Sequence, residues 1–313
     1  MPELSAKPKI VVICGPTGVG KTALAITAAD HFGGEIVGAD SMQIYRFMDI
    51  GTAKPTIEEQ RRARHHMIDI IDPDRDFDAA RYGRVAGDIV DQLCGQSRLP
   101  IVAGGTGLYI KALIYGLAPQ AGADETIRHD LKSQACLHGP AMLHQRLAVV
   151  DPSSAARIHP NDTFRIVRAL EVFDATGRPL SEVQGDHGFA APRYNALTIG
   201  LTLPRQTLYA RIDQRVDQMV ADGFVEEVRG LLARGFGRDL KSMQSLGYRH
   251  MAAHLQGELT LEEALRIMKR DTRRYAKRQL TWFGAIPDIV WMHPRAIGDC
   301  LAKITGFRLK PRE

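Results

Sequence analysis

The stretch Gly15-Pro-Thr-Gly-Val-Gly-Lys-Thr22 decides the fold, because it fully matches the phosphate-binding pattern G-x-x-x-x-G-K-[ST]. An apolar run, Ile10-Val-Val-Ile-Cys14, leads into it, and a helix-forming run, Thr22-Ala-Leu-Ala-Ile-Thr-Ala-Ala29, leads out. In such a loop, backbone N–H groups and the helix N-terminus hold a diphosphate, the lysine adds a cation and the threonine hydroxyl ligates Mg²⁺. The predicted diphosphate-binding residues are Gly15, Pro16, Thr17, Gly18, Val19, Gly20, Lys21 and Thr22, with Thr22 as the metal ligand. This P-loop pattern leaves open whether the ligand is ATP, GTP or another diphosphate.

Length and composition set the protein class. The 313 residues, 44% apolar and 25% charged, suit an ordinary soluble protein with one large α/β domain and a substantial insertion. No apolar run approaches the roughly 20 residues that span a bilayer, and the first residues show no secretory signal. The cysteines Cys14, Cys94, Cys136 and Cys300 lie far apart, which argues against a zinc module. Reduced thiols in the cytoplasm are therefore expected.

The basic charge is concentrated in one segment. The chain carries a net charge of +5, and residues 266–278 alone carry seven cations and one anion. Arg266, Arg270, Arg273 and Lys277 recur at intervals of four, three and four, which places them on one helix face. A solvated basic face is one interpretation. A surface for a phosphate backbone fits the concentration of charge better, so the segment favours nucleic-acid binding.

The order of apolar runs predicts an α/β fold: a P-loop NTPase-like parallel sheet with flanking helices and an inserted helical subdomain. Candidate strands are 9–14, 35–39, 99–103 and 196–202, and later helices are expected over 207–232 and 261–282. Residues 113–195 have helical character with Pro/Gly breaks. We therefore expect a catalytic core of residues 1–112 and 196–313, interrupted by a helical subdomain of residues 113–195.

Two polar side chains directly follow predicted strands. Asp40 comes after 35–39, and Thr106 lies in the glycine-rich turn that follows 99–103. Because ligands bind outside the carboxyl ends of parallel strands, both should converge with the P-loop on one crevice. Asp40 could cap the next turn, bind Mg²⁺, or act as base for a nucleophile attacking near the phosphates. Thr106 either contacts the ligand or merely ends its strand.

Other polar groups near Asp40 also admit more than one interpretation. Gln43 lies three residues after Asp40 and offers an amide able to pair with an adenine edge. A carboxylate and an amide this close favour reading a base over activating a sugar hydroxyl. The adjacent His65 and His66 project differently and make a poor metal pair, so a structural or loop role is expected for them.

Seven different motifs follow one another along nearly the whole chain. They are Gly15-Pro-Thr-Gly-Val-Gly-Lys-Thr22, Asp40-Ser-Met-Gln-Ile-Tyr-Arg46 with Met48-Asp-Ile-Gly-Thr-Ala-Lys-Pro55, His65-His-Met-Ile-Asp69, Gly104-Gly-Thr-Gly-Leu-Tyr109, Phe164-Arg-Ile-Val-Arg-Ala-Leu-Glu171, Ser245-Leu-Gly-Tyr-Arg249 and Arg273-Arg-Tyr-Ala-Lys-Arg-Gln-Leu-Thr-Trp282. Together they resemble the tRNA dimethylallyltransferase family, also called the tRNA isopentenyltransferases. Seven ordered motifs are far more specific than a P-loop alone.

The resemblance implies a P-loop fold turned to prenyl transfer. Dimethylallyl diphosphate would occupy the loop, and the acceptor would be the N6 amine of adenosine 37, flipped out beside the anticodon. Thr17, Lys21, Thr22 and Thr106 would hold the diphosphate with Mg²⁺, helped by Arg211. Asp40 would take the proton of the amine, and Gln43 would help read the base.

The partner implied by the resemblance is the anticodon stem-loop of tRNA, bound by a cytoplasmic monomer with no membrane attachment. The implied catalytic residues are Asp40, Thr106 and Arg211. The residues implied to contact tRNA are Asp40, Ser41, Met42, Gln43, Thr106, Arg128, Phe164, Arg165, Ile166, Val167, Arg168, Ser245, Leu246, Gly247, Tyr248, Arg249, His250, Arg270, Arg273 and Lys277.

Two departures and three alternatives accompany this resemblance. Phe47 stands where the family usually has glycine, which puts the local turn in doubt, and no cysteine/histidine finger follows the core, which favours the short bacterial form. A small-molecule kinase would explain residues 9–112 but not the basic segment. An enzyme that prenylates free adenine nucleotides would need no such segment, and a non-catalytic RNA-binding NTPase would not need Asp40 as base.

Overall fold

The computed structural model describes residues 7–117, 124–187 and 191–310. In these residues one parallel sheet is flanked by helices, with the spatial strand order β3-β2-β4-β1-β5-β6. The strands are β1 (Lys9–Cys14), β2 (Glu35–Gly38), β3 (His65–His66), β4 (Pro100–Gly104), β5 (Asn195–Leu201) and β6 (Val290–Met292). The helices are α1 (Lys21–Phe32), α2 (Ile57–Arg62), α3 (Ala79–Gly95), α4 (Gly107–Tyr115), α5 (Glu125–His138), α6 (Pro140–Val150), α7 (Pro152–Arg157), α8 (Thr163–Thr176), α9 (Leu180–His187), α10 (Arg205–Ala221), α11 (Phe224–Ala233), α12 (Tyr248–Leu255), α13 (Leu261–Gly284) and α14 (Ile297–Leu309).

Strand β1 lies inside the sheet because its side chains are apolar on both faces. Residues 10–14 are fully buried, and Val12 pairs with Val102 of β4 on one side and Thr198 of β5 on the other. Leu24 of α1 and Ile304 of α14 pack in the same apolar core. The strand that carries the P-loop is thus held firmly, and the predicted α/β fold class is confirmed.

Two edge strands and one helix break differ from the sequence predictions. Strand β3, with only two residues, and strand β6, with three, were not predicted, because runs this short show no periodicity. The segment 207–232 was predicted as one helix but forms most of α10 and α11, and Gly223 with φ 98° separates them. An Asp-Gly pair is a strong turn signal, and it overrides the apolar periodicity there.

The chain divides into two compact units. One contains the residues up to Ile114 together with those from Arg193 onward, and the other is Tyr115–Pro192. The second unit is built from helices α5–α9, whose apolar core includes the buried Leu143 and Ile166. Among the described residues, none of the helices of either unit is long and apolar enough to cross a membrane.

A buried ionic cluster lies at the amino end of strand β2. Glu35, only 3% exposed, contacts the ring of His66 with Nε2···Oε2 at 2.6 Å and forms an ion pair with Arg98. Burial raises the pKa of the Glu35 carboxyl, but the hydrogen bond and charge of His66, with Arg98 and Arg64, hold that pKa below its usual value. His66 therefore has the structural role that was expected, within a strand rather than a loop.

Candidate active site

The P-loop connects β1 to α1 in a backbone conformation that requires glycine. Gly15, Gly18 and Gly20 have φ of 140°, 78° and 107°, values that side chains rarely tolerate. A Cβ atom on Gly15 would also lie 2.6 Å from the carbonyl oxygen of Leu201. These glycines give the loop a shape in which its backbone N–H groups can hold a ligand.

Asp40 and Thr106 come together just beyond the carboxyl ends of β2 and β4. The backbone N–H of Thr106 donates to Ala39 O at 3.0 Å, and its Oγ1 accepts from Ser41 N at 3.1 Å. Asp40 Oδ1 accepts from the N–H groups of Met42 and Gln43, at 2.8 and 3.4 Å. Asp40 therefore does cap the next turn, but with one oxygen, and Oδ2 has no hydrogen-bond partner among the described residues.

A cavity of about 230 Å³ opens beside these residues. Its polar lining includes Thr17, Asp40, Arg215 and Tyr275. Its apolar lining comes from Met42, Ile212, Val216, Met219, Leu246 and Met268. A carboxylate and a cation thus face a space whose walls include enough apolar side chains to hold a hydrocarbon group or a flat ring.

Two cations lie near Asp40 without forming an ion pair with it. Lys21 donates to the carbonyl oxygen of Pro16 at 2.9 Å, and burial lowers the pKa of its ammonium to about 8, against the opposing effect of Asp40. Burial also lowers the pKa of the Arg215 guanidinium, again opposed by Asp40. Among the described residues neither cation has a carboxylate partner within salt-bridge distance. The site therefore holds unneutralised positive charge where a diphosphate would bind.

Arg215 was missed by the sequence analysis, which named Arg211. Arg211 lies one turn earlier on α10, and its Nη1 reaches Val19 O of the P-loop at 3.5 Å. Arg215 lines the cavity beside Asp40 and a second cavity of about 520 Å³. The sequence did contain a signal, because two arginines four residues apart share a helix face.

A single buried amide connects the P-loop to the Thr106 turn. Gln279 of α13 accepts from Thr17 N at 2.9 Å and donates to Gly105 O at 2.8 Å, and it is 6% exposed. A Cβ atom on Gly105 would lie 2.3 Å from Gln279 Nε2, and one on Gly107 would lie 2.1 Å from Nε1 of Trp282. The glycines of this turn are therefore needed for the close approach of helix α13.

Glu227 of α11 fixes the loop that forms another wall of the cavity. Its carboxylate accepts from the N–H groups of Asp49, Ile50 and Gly51, at 2.8, 2.7 and 3.1 Å, and from the Tyr248 hydroxyl at 2.6 Å. These contacts join residues more than 170 positions apart in some cases. No local pattern in the sequence could have indicated them.

Gln43 is committed to the same loop. Its amide nitrogen donates to Thr52 O at 3.2 Å and to Ala53 O at 3.0 Å. Bidentate pairing with an adenine edge is therefore not available in this arrangement, and only Oε1 is left for a base.

Comparison with known proteins identifies the family. The profile described as IPP transferase matches residues 43–285. The chain is 60% identical, over 91% of each chain, to the tRNA dimethylallyltransferase of Desulfosudis oleivorans. It is 53% identical to that of Geobacter sulfurreducens, over 96% of this chain and 97% of the relative. The chain belongs to the IPP transferase family.

Solved structures agree with this family assignment. A full-length tRNA isopentenylpyrophosphate transferase from Bacillus halodurans superposes with a TM-score of 0.72 at 42% identity, over 96% of both chains. A eukaryotic dimethylallyltransferase, solved acting on tRNA, gives a TM-score of 0.79 at 27% identity, over 98% of this chain and 81% of that one. The P-loop core is thus the scaffold of an IPP transferase.

Phe47, where the family usually has glycine, keeps a glycine-like backbone. Its φ is 66°, in the left-handed region that disfavours side chains. The ring lies 4.2 Å from the Arg234 guanidinium and 6.4 Å, stacked, from the ring of Phe236. The turn thus has a backbone conformation that glycine adopts easily, and the ring contacts offset part of the strain at Phe47.

The residues predicted for tRNA contact near residue 245 divide into two groups. Ser245 and Leu246 line the cavity, and Arg249 is exposed. Tyr248 also lines the cavity although it is 0% exposed, and its contact with tRNA stays a prediction. The structure corrects the prediction for His250, which is 4% exposed because it packs inside. Gly247 is likewise buried: a Cβ atom there would approach Cζ of Phe224 to 3.0 Å.

In the helical unit the predicted tRNA contacts divide in the same way. Phe164 is 82% exposed and Arg165 is also exposed. Ile166 and Val167, 0% and 4% exposed, are corrected to core residues because they face the apolar side of α8.

Two further predicted contacts in this unit, Arg128 and Arg168, hold a buried anion. Each has a guanidinium nitrogen 2.9 Å from the carboxylate of Glu171, which is fully buried. Both arginines remain partly exposed.

The basic face of α13 is exposed as predicted but partly neutralised. Arg266, Arg270 and Lys277 are exposed, while Arg273 is half-buried and bonded to both oxygens of Asp213, at 2.6 and 2.7 Å. Within the described ranges no ion pair engages Arg266 or Lys277. Free cations therefore lie at both ends of the face.

Proposed function

We propose that this enzyme transfers the dimethylallyl group of dimethylallyl diphosphate to N6 of adenosine 37 in tRNA and releases diphosphate. The proposal is carried by one observation: a cavity that unites the P-loop, the half-free carboxylate of Asp40 and the unpaired Arg215. The relatives named tRNA dimethylallyltransferase support the reaction class. Each of these groups has a separate part in the reaction.

The diphosphate binds with its charge against the P-loop. The N–H groups that begin α1 and the ammonium of Lys21 hold the phosphate oxygens, and the guanidinium groups of Arg211 and Arg215 reach them from α10. Positive charge stabilises the oxygen that leaves when the C1–O bond breaks. Lys21 can exchange its present hydrogen-bond partner, a carbonyl oxygen of the loop, for a phosphate oxygen.

A Mg²⁺ ion suits this donor set. The described residues contain no group of three or more His, Cys, Asp or Glu side chains that could hold a metal alone. Magnesium is commonly bound by one or two protein oxygens together with substrate phosphates, and the Thr22 hydroxyl at the start of α1 provides such an oxygen. When bound, the ion supplies further positive charge beside the leaving diphosphate.

The acceptor half of the reaction belongs to Asp40. The N6 amine of adenosine must lose a proton as the new C–N bond forms, because its nitrogen would otherwise carry a positive charge. A base also helps because an aryl amine is a weak nucleophile. Asp40 Oδ2, which has no hydrogen bond from any residue the structure describes, accepts a hydrogen bond from N6 and then the proton, while Oδ1 keeps the carboxylate in place through Met42 N. The C1–O bond breaks, its electron pair leaves on the diphosphate, and Thr106 positions the loop that carries Asp40.

The anticodon stem-loop binds through separate charged surfaces. The exposed cations of α13, with Arg249, suit a phosphate backbone, and Phe164 with Arg165 offers an aromatic and a cation on the helical unit. Localisation in the cytoplasm, where tRNA is present, and a monomeric state are part of the same proposal.

The test is incubation of the purified enzyme with dimethylallyl diphosphate, Mg²⁺ and unmodified tRNA, followed by mass analysis of the anticodon-loop nucleosides. We expect one adenosine, at position 37, to gain a single C5H8 unit. Transfer of γ-phosphate from ATP to a small molecule, with no prenylated nucleoside, would instead show a kinase. Prenylation of AMP at a rate equal to that of tRNA would contradict the assignment of tRNA as substrate.

A further inference from the structure

Asp271, the one acid within the basic segment of residues 266–278, contacts several of its basic neighbours. Asp271, whose side chain is 15% exposed, lies 2.8 Å from Nη2 of Arg249, 3.0 Å from Nε of Arg270 and 3.8 Å from Nη1 of Arg274. It also lies 3.4 Å from Nε2 of the buried His250. One carboxylate thus gathers cations from two helices, α12 and α13.

The gathered arginines stay open to solvent on their other sides. The side chains of Arg249, Arg270 and Arg274 are 43%, 46% and 65% exposed. Burial raises the pKa of the Asp271 carboxyl, but its hydrogen bonds from Arg270 and Arg249 hold that pKa below its usual value, so the carboxylate stays charged at neutral pH. Each guanidinium has five N–H donors, so a contact at one edge leaves donors for a second anion.

The other acids that pair with α13 differ from Asp271. Among the described residues, Asp213 pairs with Arg273 alone. Asp217 pairs there with Lys269 alone, at 2.6 Å, and the Asp217 side chain is 57% exposed. Such one-to-one surface pairs neutralise charge and contribute little else. Asp271 instead forms ion pairs with three arginines, whose long side chains would otherwise sample many rotamers.

We propose that Asp271 is a positioning residue that preorganises Arg249, Arg270 and Arg274 to bind the phosphates of the tRNA backbone. This inference rests on the proposed function, since it assigns a ligand to the basic face of α13. Ordering a flexible arginine opposes binding. A carboxylate that already holds Arg249 and Arg270 by hydrogen bonds, and forms an ion pair with Arg274, lowers that opposing term. Asp271 thus helps the protein bind a polyanion although it carries a negative charge itself.

The proposal predicts a sign opposite to that of simple charge counting. If only net charge mattered, replacing an acid beside a phosphate-binding surface would strengthen tRNA binding and steepen its salt dependence. If Asp271 orders the arginines, the same replacement weakens binding. The isosteric substitution Asp271→Asn separates the two, because it removes the charge and keeps the shape.

The experiment measures the Kd of unmodified tRNA for wild type, Asp271→Asn and the matched control Asp217→Asn, over a series of salt concentrations. We expect Asp271→Asn to bind about three- to tenfold more weakly, the effect of losing one to two ordered charged contacts. Asp217→Asn, with the same change in net charge, should bind equally or more tightly. Equal or tighter binding by Asp271→Asn overturns the proposal.

Three further measurements separate the possible causes. Unchanged affinity for inorganic diphosphate and an unchanged Tm show that Asp271→Asn is folded. In an Arg249→Gln background, Asp271→Asn should have a smaller effect on tRNA affinity, and an undiminished effect overturns the proposed route through Arg249. If Arg270→Gln and Lys277→Gln also leave tRNA affinity unchanged, the basic face itself is not the tRNA surface. If those two weaken binding and Asp271→Asn does not, only the role of Asp271 fails.

Discussion

A carboxylate lies near each end of strand β2, and the two differ in how completely they are paired. Glu35, its first residue, is buried and has a hydrogen-bonded His66 and the ion-paired Arg98. Asp40, two residues past its last one, accepts from two backbone N–H groups of the described residues, both on one oxygen. Lys21 and Arg215 lie near enough to affect it electrostatically, yet neither forms a salt bridge with it.

This difference assigns a structural role to the carboxylate at one end of β2 and a chemical role to the one at the other end. A saturated carboxylate such as Glu35 has its lone pairs occupied and its neighbouring charges balanced, so it can only hold structure. An incompletely paired carboxylate beside unpaired cations has capacity left for a ligand and a proton. Reactivity is therefore expected at the carboxyl end of the sheet, and substitutions at the two ends can test that division.

The largest effect is expected from Asp40→Asn. The amide oxygen keeps the cap on Met42 N, but the side chain can no longer accept a proton. We expect kcat for prenyl transfer to fall by about 10²–10⁴-fold, with tRNA affinity and Tm retained. Single-turnover kinetics measure this, and turnover within tenfold of wild type would remove Asp40 as the base.

A somewhat smaller effect is expected from Arg215→Gln. The change removes a cation that lines the cavity and has no salt-bridge partner in the part of the chain that the structure describes. We expect kcat/KM for dimethylallyl diphosphate to fall by about 10²-fold. The control is Arg205→Gln on the same helix, whose guanidinium lies 5.1 Å from the ring of Tyr209 and is exposed. Equal losses in both variants would contradict a specific role for Arg215.

Gln279→Leu should have an intermediate effect, because it removes the bridge between the P-loop and the Thr106 turn. Thr17 N and Gly105 O then lose their partners, a loss of about 1–3 kcal/mol. We expect kcat/KM for the diphosphate to fall by about tenfold, with the Kd for tRNA unchanged. A parallel loss of tRNA affinity would show that the amide supports the whole helix rather than these two loops.

The pH dependence of diphosphate binding should report on Lys21. Burial lowers the pKa of its ammonium to about 8, so the charge is present below that pH and is lost as the pH rises through it. We expect affinity for inorganic diphosphate to fall several-fold between about pH 7 and pH 9. Lys21→Arg, which stays charged, is the control measured by calorimetry at the same pH values. An identical decline in both proteins would place the titration on the ligand.

The smallest change in activity is expected from Glu35→Gln. It should lower the free energy of unfolding by about 1–2 kcal/mol, a modest value because the partner arginines are solvent-exposed. Since the pKa of Glu35 is lowered in the folded state, its contribution exists at neutral pH and disappears as the pH falls below about 4. Urea unfolding at two pH values checks this. A loss of kcat per folded molecule would break the division between the two ends of β2.

Much of this fold could be predicted from local patterns. The apolar runs gave β1, β2, β4 and β5 to within two residues, because strands buried on both faces read as continuous apolar stretches. The rule that ligands bind at the carboxyl ends of parallel strands correctly joined Asp40 and Thr106. The edge strands β3 and β6 could not be predicted, since two or three residues carry too little pattern.

The parts of the site that were missed depend on tertiary contacts. Gln279 and Glu227 act through hydrogen bonds across 262 and 178 residues, and their neighbours in sequence give no sign of this. The buried Ile166 and Val167 were mistaken for contact residues because a motif does not reveal which side of a helix faces the core. The amide of Gln43 was assigned to a base, although the nearby loop uses its nitrogen.

The bridge made by Gln279 also sets the earliest point of synthesis at which this part of the site can form. The P-loop leaves the ribosome early, but β5, the second neighbour of β1, follows about 180 residues later, and Gln279 follows Thr17 by 262 residues. At about 5–20 residues per second, that last interval takes roughly 13–50 seconds. Throughout it, the nascent phosphate loop lacks the amide that sets its position against Gly105. The bridge between Thr17 and Gly105 can therefore form only after residue 279 has been translated.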